Sequence, residues 1–344
     1  MKAITQDTYG SAAVLEARDI DMPKISADQV LIRVQAAGVN PADWAIMSGL
    51  PYVARPVYGL RRPKAGVRGT DVSGTVEAVG SGVTRFKPGD EIYGSADGSY
   101  AEYAVASETT LAPKPANLTF EGAAAVPMAG QVALQALRGV RAGQKVLING
   151  AAGGIGTFAV QIAKSLGAEV TAVVSTRNVD MVRSIGADRV IDYTTEDFTH
   201  GEERYDFILD NVSNHSLSDL RRALAPTGIL VPNGGRFDKR WLASGGRVIG
   251  GLIMFRFVSQ TLRTFISTTK LEDLLELKRL IEAGSVTPVL DRTYPLSETA
   301  SAIAHVGEGH ARGKTVISVR APDVGHPGPA TAATPVTAPI AVAS

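Results

Sequence analysis

The chain has 344 residues, of which 44% are hydrophobic and 20% charged, so it can bury a full core and is not wholly disordered. Lysine and arginine number 35 against 34 aspartate and glutamate, which disfavours a dedicated nucleic-acid binder, and the length predicts about two domains. The first residues have no apolar signal-peptide core, and no uncharged apolar stretch is long enough to span a bilayer. We therefore expect a soluble, cytoplasmic protein with no membrane partner.

In chain order, the first ~120 residues show the alternation of short strands, as the spacing of apolar positions indicates. We predict strands at 29–36, 72–79 and 100–106, separated by turns rich in glycine and proline. Short strands with regular turns predict an irregular β-barrel.

The pattern changes near Glu121, where apolar residues begin to recur at helical spacing. A strand at Lys145–Asn149 is followed by a glycine cluster and an amphipathic helix at 154–166. Strands and helices then alternate, which predicts a parallel, doubly wound α/β sheet. The further predictions are strands at 169–174, 189–192, 205–209, 228–231 and 314–319, helices at 179–185, 217–224 and 271–283, and a disordered tail at 321–344 that is rich in proline, alanine and threonine.

The chain lacks the side chains of a zinc site of the cysteine and histidine type. It contains no cysteine, which also excludes disulfides and a thiolate nucleophile. All five histidines lie in the second half, and among them only His305 and His310 are close in sequence. We therefore predict no metal site.

The glycine cluster reads Gly150-Ala-Ala-Gly153-Gly154-Ile155-Gly156, and it lies between a predicted strand and a predicted helix. Glycine lets the backbone turn tightly and approach a pyrophosphate, and the helix start offers N–H groups and a partial positive charge. This context predicts a dinucleotide site. The alternative is close packing of a helix start on a strand.

About twenty residues later, an NAD site usually has an acid that holds the ribose 2′-hydroxyl. Here Ser175, Thr176 and Arg177 follow the strand instead. Because arginine pairs with a 2′-phosphate that an acid would repel, we favour NADPH over NADH. The alternatives are an exposed arginine and hydroxyls that cap a helix.

Four stretches resemble the medium-chain dehydrogenase/reductase superfamily in its zinc-independent, quinone-oxidoreductase-like branch. They are 36–44 (AAGVNPADW), 69–80 (GTDVSGTVEAVG), 86–94 (FKPGDEIYG) and 311–314 (ARGK), and the glycine cluster agrees with them. The resemblance implies a GroES-like β-barrel from 1–124 and 266–320, a Rossmann domain at 125–265, a cleft between them, and a homodimer. Zinc-containing relatives have a cysteine where Asn40 stands, so the resemblance also implies a zinc-free site.

The resemblance also implies which residues hold the cofactor. The pyrophosphate loop comprises Gly153, Gly154, Ile155 and Gly156, and Tyr193 joins Ser175, Thr176 and Arg177 at the 2′-phosphate. Asn211 and Val212 lie beside the nicotinamide ribose, and Asn233 and Gly234 near the carboxamide. Lys314 reaches the cofactor or, alternatively, is a surface lysine, and Tyr193 is alternatively an aromatic at the core edge.

For catalysis, the candidates are Asn40 and Tyr52, with Trp44 in the substrate pocket. Asn40 would hydrogen-bond the substrate oxygen or the nicotinamide ribose, and Tyr52 would donate a proton; the alternative for Trp44 and Tyr52 is loop packing. Relatives often carry tyrosine at Ala45 and threonine at Val132, so the reaction alternatively needs positioning alone, with water as proton donor.

The sequence therefore predicts an NADPH-dependent oxidoreductase that delivers hydride to quinones or α,β-unsaturated carbonyls. The first alternative is a zinc-free NADP-dependent alcohol/ketone oxidoreductase. The second is a non-catalytic NADPH-binding protein that contacts RNA through a basic run, although we expect a small-molecule substrate and no nucleic acid. This basic run comprises Arg55, Arg61, Arg62, Lys64 and Arg68, and its plainer interpretation is a solvated loop.

Overall fold

The computed structural model describes residues 1–234, 250–251, 254–256, 258–309 and 311–320. The predicted disordered tail at 321–344, His310 and His326 lie outside the described residues.

The described residues of the N-terminal part form a mostly antiparallel sheet. Its strand order is β14-β15-β3-β4-β5-β7, and β6 pairs with β3. The last strand, β15, pairs antiparallel with β3 and so brings the end of the described chain beside residues 36–39. The strands of this sheet are β3 (Gln29–Val39), β4 (Asp71–Val79), β5 (Glu91–Ser95), β6 (Tyr103–Ser107), β7 (Leu111–Pro113), β14 (Leu290–Pro295) and β15 (Lys314–Ser318); β1 (Lys2–Gln6) and β2 (Leu15–Asp19) form a separate pair.

The central part of the chain forms a six-stranded parallel sheet among the described residues. Its order is β10-β9-β8-β11-β12-β13, so the order reverses between β8 and β11. This is the Rossmann order, in which ligands bind at the carboxyl ends of the strands where the order reverses. The strands are β8 (Lys145–Asn149), β9 (Glu169–Val174), β10 (Arg189–Asp192), β11 (Tyr205–Asp210), β12 (Leu224–Pro232) and β13 (Thr261–Leu262). The predicted fold class, a GroES-like barrel plus a Rossmann sheet, is confirmed.

Helices cover the parallel sheet because its strands are apolar on both faces. Val146, Leu147 and Ile148 of β8 are fully buried. Phe158 and Ile162 of α5 pack with Val146 and Ile148, whereas Leu147 lies in the core on the other face. The helices are α1 (Pro41–Ser48), α2 (Arg55–Tyr58), α3 (Phe120–Ala124), α4 (Pro127–Ala136), α5 (Gly154–Ser165), α6 (Val179–Ser184), α7 (Leu217–Ala223), α8 (Leu271–Glu282) and α9 (Thr299–Gly307).

Helix α8 packs between the two sheets. Leu274 and Leu277 lie in the core that covers the parallel sheet, while the Tyr93 hydroxyl of β5 donates to the Leu274 carbonyl at 2.5 Å. The predicted boundary at 265/266 assigns this helix to the barrel domain. Its apolar face nevertheless belongs to the core shared with α4 and α5.

Candidate dinucleotide site

The glycine loop lies where the strand order reverses, between the end of β8 and the start of α5. Gly150 has a φ of +78°, which favours glycine. A Cβ on Gly156 would lie 2.2 Å from the Gly150 carbonyl oxygen, so this glycine is required for close packing of α5 on the loop. A Cβ on Gly153 would meet its nearest atom only at 3.6 Å, so the loop is open at this position. The first N–H groups of α5, from Gly154 and Ile155 onward, have no acceptor within the helix and can bind an anion.

The loops after β11 and β12 lie beside the same loop. A Cβ on Gly150 would come within 2.7 Å of Val212, and a Cβ on Gly234 within 2.4 Å of the Asn211 carbonyl oxygen. The Asn233 side-chain amide donates to Asn211 Oδ1 at 2.8 Å. In the part of the chain that the structure describes, the buried Nδ2 of Asn211 has no hydrogen-bond acceptor. A buried N–H without an acceptor is costly, so this group is suited to an acceptor on a ligand.

The strand β15 joins the barrel to the glycine loop. The Gly313 N–H donates to the Ala152 carbonyl at 2.8 Å, and Gly313 bridges Gly153. The next residue, Lys314, runs past the start of α5, since a Cβ on Gly154 would lie 3.0 Å from Lys314 Cδ. Lys314 is 3% exposed, so the alternative of a surface lysine is wrong.

Lys314 ends in a buried polar cluster. Its Nζ donates to the Val39 carbonyl at 3.1 Å and to Asn40 Oδ1, and lies 3.8 Å from Asp71 Oδ2. Asn40 Nδ2 donates to Asp71 Oδ2 at 3.0 Å. Asp43 Oδ2 accepts from the Asn40 N–H at 2.8 Å and from the Tyr100 hydroxyl at 2.9 Å. We call this group the Asn40 cluster; it comprises Asn40, Asp43, Asp71, Tyr100 and Lys314.

Burial shifts the ionisable groups of the Asn40 cluster toward their neutral forms. It raises the pKa of Asp71 to about 6, although the attraction of Lys314 and the Asn40 amide opposes this. Burial likewise raises the pKa of Asp43 and lowers the pKa of Lys314. The Met128 N–H at the start of α4 also donates to Asp71 Oδ1 at 3.2 Å, which favours the carboxylate and so opposes the rise in pKa.

These contacts fix the orientation of the Asn40 amide. Its oxygen accepts from Lys314 and one of its two N–H groups donates to Asp71. The second N–H is the group that Asn40 can offer to a ligand. Asn40 is only 2% exposed, so its hydrogen bonds within the cluster are part of the folded core.

The ends of β9 and β10 form a polar rim. Asp192 is paired in register with Val174, which places its carboxylate beside the segment that follows β9. The Thr176 hydroxyl donates to Asp192 Oδ2 at 2.6 Å, and the Thr194 hydroxyl donates to Oδ1 at 2.8 Å. Ser175 Oγ accepts from Asn178 at 3.2 Å. This group, called the β9–β10 rim, comprises Ser175, Thr176, Arg177, Asp192, Tyr193 and Thr194.

Asp192 is a residue that the sequence analysis missed, because the search for an acid stopped at the segment after β9. The hydroxyl of Thr176, followed by the N–H and hydroxyl of Thr194, lowers the pKa of Asp192. Arg177 and Tyr193 are exposed on the same rim. The signal that was available is the aspartate at the end of the next strand, since adjacent parallel strands end at the same edge.

The structure places the two aromatic candidates in packing contacts. The Trp44 indole lies against α9, where a Cβ on Gly307 would come within 2.3 Å of its ring. The Arg55 guanidinium lies 4.5 Å from the centre of the Tyr52 ring and 4.7 Å from that of Tyr9. The alternative of loop packing describes these contacts, and the roles in the substrate pocket and in proton donation stay predictions.

The basic run is not one continuous charged surface. Arg68 is buried and Arg55 is sandwiched by tyrosines, whereas Arg61, Arg62 and Lys64 are exposed. Within the described ranges, no three histidine, aspartate or glutamate side chains are grouped as ligands for a metal ion, and no helix is long and apolar enough to cross a membrane.

Comparisons with known proteins agree with both parts of the fold. The family described as an alcohol dehydrogenase GroES-like domain matches residues 26–116, and the family described as a zinc-binding dehydrogenase matches residues 185–317. The mitochondrial NAD(P)H oxidoreductase RTN4IP1 of Mus musculus is 34% identical over 358 residues, covering 93% of this chain and 89% of the relative.

Two further relatives are named for an oxidoreductase activity. The chloroplastic NADPH-dependent alkenal/one oxidoreductase of Arabidopsis thaliana is 33% identical over 339 residues, covering 92% of this chain and 79% of the relative. The solved structure of the quinone oxidoreductase from Coxiella burnetii is 32% identical, with a TM-score of 0.81, covering 93% of this chain and 99% of the other. The coverage and TM-score of this structure show that it shares the two-part fold of this chain.

Proposed function

Since this chain belongs to the medium-chain dehydrogenase/reductase superfamily, in its quinone-oxidoreductase-like branch, we propose that it is a zinc-free, NADPH-dependent oxidoreductase that delivers hydride to quinones or α,β-unsaturated carbonyls. The observation that carries the proposal is the convergence of three strand ends on one loop: Gly150 lies against Val212, and Gly234 against Asn211. The described residues fit a nicotinamide dinucleotide, because they offer an open glycine, helix N–H groups and the Asn211 Nδ2, which has no acceptor among them.

The roles of the chain's own residues follow from their contacts. The α5 start would bind the pyrophosphate, Arg177 would pair with the 2′-phosphate, and the Asn211 amide would donate to the nicotinamide end. The reduced nicotinamide, when bound, supplies the hydride. Lys314 and Asp71 hold the Asn40 amide in one orientation. Its second N–H would therefore be ready to donate to a substrate oxygen without any loss of side-chain freedom on binding.

An electron-poor acceptor suits a site built from hydrogen-bond donors. When hydride adds to a conjugated carbonyl or a quinone, the negative charge develops on an oxygen, which an amide N–H stabilises. Oxidation of a simple alcohol instead requires stabilisation of an alkoxide, for which related enzymes use a metal as Lewis acid. The chain has no cysteine, and Asn40 stands where zinc-containing relatives have one, which supports the zinc-free form of the proposal.

The test is the oxidation of NADPH by the purified full chain with a panel of quinones, enones and simple ketones. We expect turnover of quinones or enones, with no loss on treatment with a chelator and no stoichiometric zinc by elemental analysis. Turnover of simple ketones alone would favour the alcohol/ketone alternative. Binding of NADPH without turnover of any acceptor would contradict the enzyme proposal and favour the non-catalytic alternative.

A further inference from the structure

The β9–β10 rim combines two features that prefer different ligands. Arg177 offers N–H donors and a positive charge, which match the acceptor oxygens of a phosphate. Asp192, which lies on the same rim, offers a negative charge and only acceptors. The preference of the rim for a phosphate therefore depends on Asp192 as well as on Arg177.

The hydrogen bonds of the rim settle which way its hydroxyls point. An ionised carboxylate has no proton, so both threonine hydroxyls must donate to it: Thr176 at 2.6 Å and Thr194 at 2.8 Å. Each hydroxyl has a single proton. With these protons committed to Asp192, Thr176 and Thr194 present only lone pairs to a ligand.

Because the carboxylate and the two threonine hydroxyls all present acceptors, they suit a ligand group that donates a hydrogen bond rather than one that only accepts. The 2′-hydroxyl of NADH has a proton to donate, whereas the 2′-phosphate of NADPH carries about two negative charges near neutral pH and has acceptors only. We propose that Asp192 is a specificity-determining residue that lets this site take the 2′-hydroxyl of NADH alongside the 2′-phosphate of NADPH. The proposal rests on the function proposed above, in which this rim holds the adenosine ribose.

The experiment measures binding of NADPH and of NADH to the full chain by titration calorimetry, without any acceptor. Asp192→Asn removes the charge and keeps the shape, so we expect tighter NADPH binding and weaker NADH binding, with a combined change in the affinity ratio of about 10- to 100-fold. Arg177→Ala is expected to change the ratio in the opposite direction, because it removes the donors for the phosphate.

The matched control is Asp180→Asn, which makes the same change in net charge at a fully exposed position, three residues after Arg177. We expect this variant to leave the ratio within about threefold of the wild type. An unchanged ratio in Asp192→Asn, or one equal to that of Asp180→Asn, would overturn the inference.

A second variant keeps the inference testable if Asp192→Asn fails to fold. Thr176→Val retains the Asp192 carboxylate and removes the Thr176 hydroxyl, which is one of the acceptors that Asp192 orients. NADH binding should therefore weaken while NADPH binding changes little. Equal losses for both dinucleotides would contradict the inference. Failure of the wild type to bind either dinucleotide would overturn the proposed function instead, which separates the two outcomes.

Discussion

Asp71 is a buried acid, and the free energy needed to ionise it in the folded chain makes the stability of the protein depend on pH. Burial raises the folded-state pKa of Asp71 to about 6, above its ordinary value of 3.8, so the folded chain holds this proton more tightly than the unfolded chain. For an acid shifted upward, stability is greatest below the unfolded pKa and falls as the pH rises through the folded pKa.

We therefore expect wild-type stability to fall, relative to Asp71→Asn, as the pH rises from about 4 to about 7. The shift corresponds to a change in the free energy of unfolding on the order of 3 kcal/mol. Denaturant unfolding of both proteins across this range measures the difference. The exposed variant Asp180→Asn serves as the control; a difference for Asp71→Asn as flat as that for the control would contradict the buried ionisation.

The residues of the Asn40 cluster show where inference from single residues stops. Lys314 follows an arginine and a glycine, a pattern typical of a surface turn, and its burial depends on contacts with Val39 and Asn40 that are 275 and 274 positions away. Asp192 was missed for a related reason, because its partner Thr176 lies after a different strand, β9. In both cases the missing information was which strands are adjacent in space.

At the scale of elements, two glycines of the unit formed by β8, the glycine loop and α5 have different roles. Gly156 is required for packing, whereas Gly153 lies on the open face where we expect the dinucleotide to bind. Gly156→Ala would place a methyl group 2.2 Å from a backbone oxygen, so we expect it to destabilise the fold and abolish dinucleotide binding together. Gly153 has a φ of −78° and its nearest neighbour at 3.6 Å, so alanine fits there without strain.

Gly153→Ala is therefore expected to keep the melting temperature within about 2 °C of the wild type while weakening NADPH binding at least tenfold. Thermal unfolding and calorimetric titration of the two variants make the comparison. If Gly153→Ala binds NADPH as tightly as the wild type, the open face of the loop does not receive the pyrophosphate.

The element predictions succeeded where local pattern decides structure. Lys145–Asn149, Glu169–Val174 and Arg189–Asp192 form strands with the predicted bounds, because each is a short apolar run ended by turn residues. The predicted helix at 217–224 ends one residue earlier, and the next strand begins at Leu224 rather than at 228. The strands at Glu91–Ser95 and Leu290–Pro295 were not predicted, because their apolar alternation is weak and their pairing partners are distant in sequence.

At the scale of the molecule, the barrel and the parallel sheet meet through Gly313, Lys314 and α8. We therefore expect the two parts to unfold together and NADPH to stabilise both. At a concentration 100 times its Kd, a ligand adds about 2.7 kcal/mol, which raises the melting temperature of a chain of this length by about 4 °C. Calorimetric scans with and without NADPH test this expectation, and Gly153→Ala supplies the control without the shift. Two separate transitions, of which only one moves, would show that the contacts at Gly313 do not couple the parts.

Three further predictions concern the whole molecule. The homodimer and the domain limits were expected from the resemblance and stay predictions. The cytoplasmic location also stays a prediction, and relatives named above are mitochondrial or chloroplastic.

The antiparallel pairing of β15 with β3 has a consequence for how the protein is made. When the first 300 residues have been synthesised, the glycine loop and Asn40 are already present. Lys314, which pairs with Asp71, and the Gly313 N–H, which donates to Ala152, have not yet been made. A premature stop codon before residue 313 would thus leave a barrel that lacks its closing strand and a buried carboxylate without its cation. Such truncated products are expected to be substrates for cellular proteolysis rather than partly active enzymes.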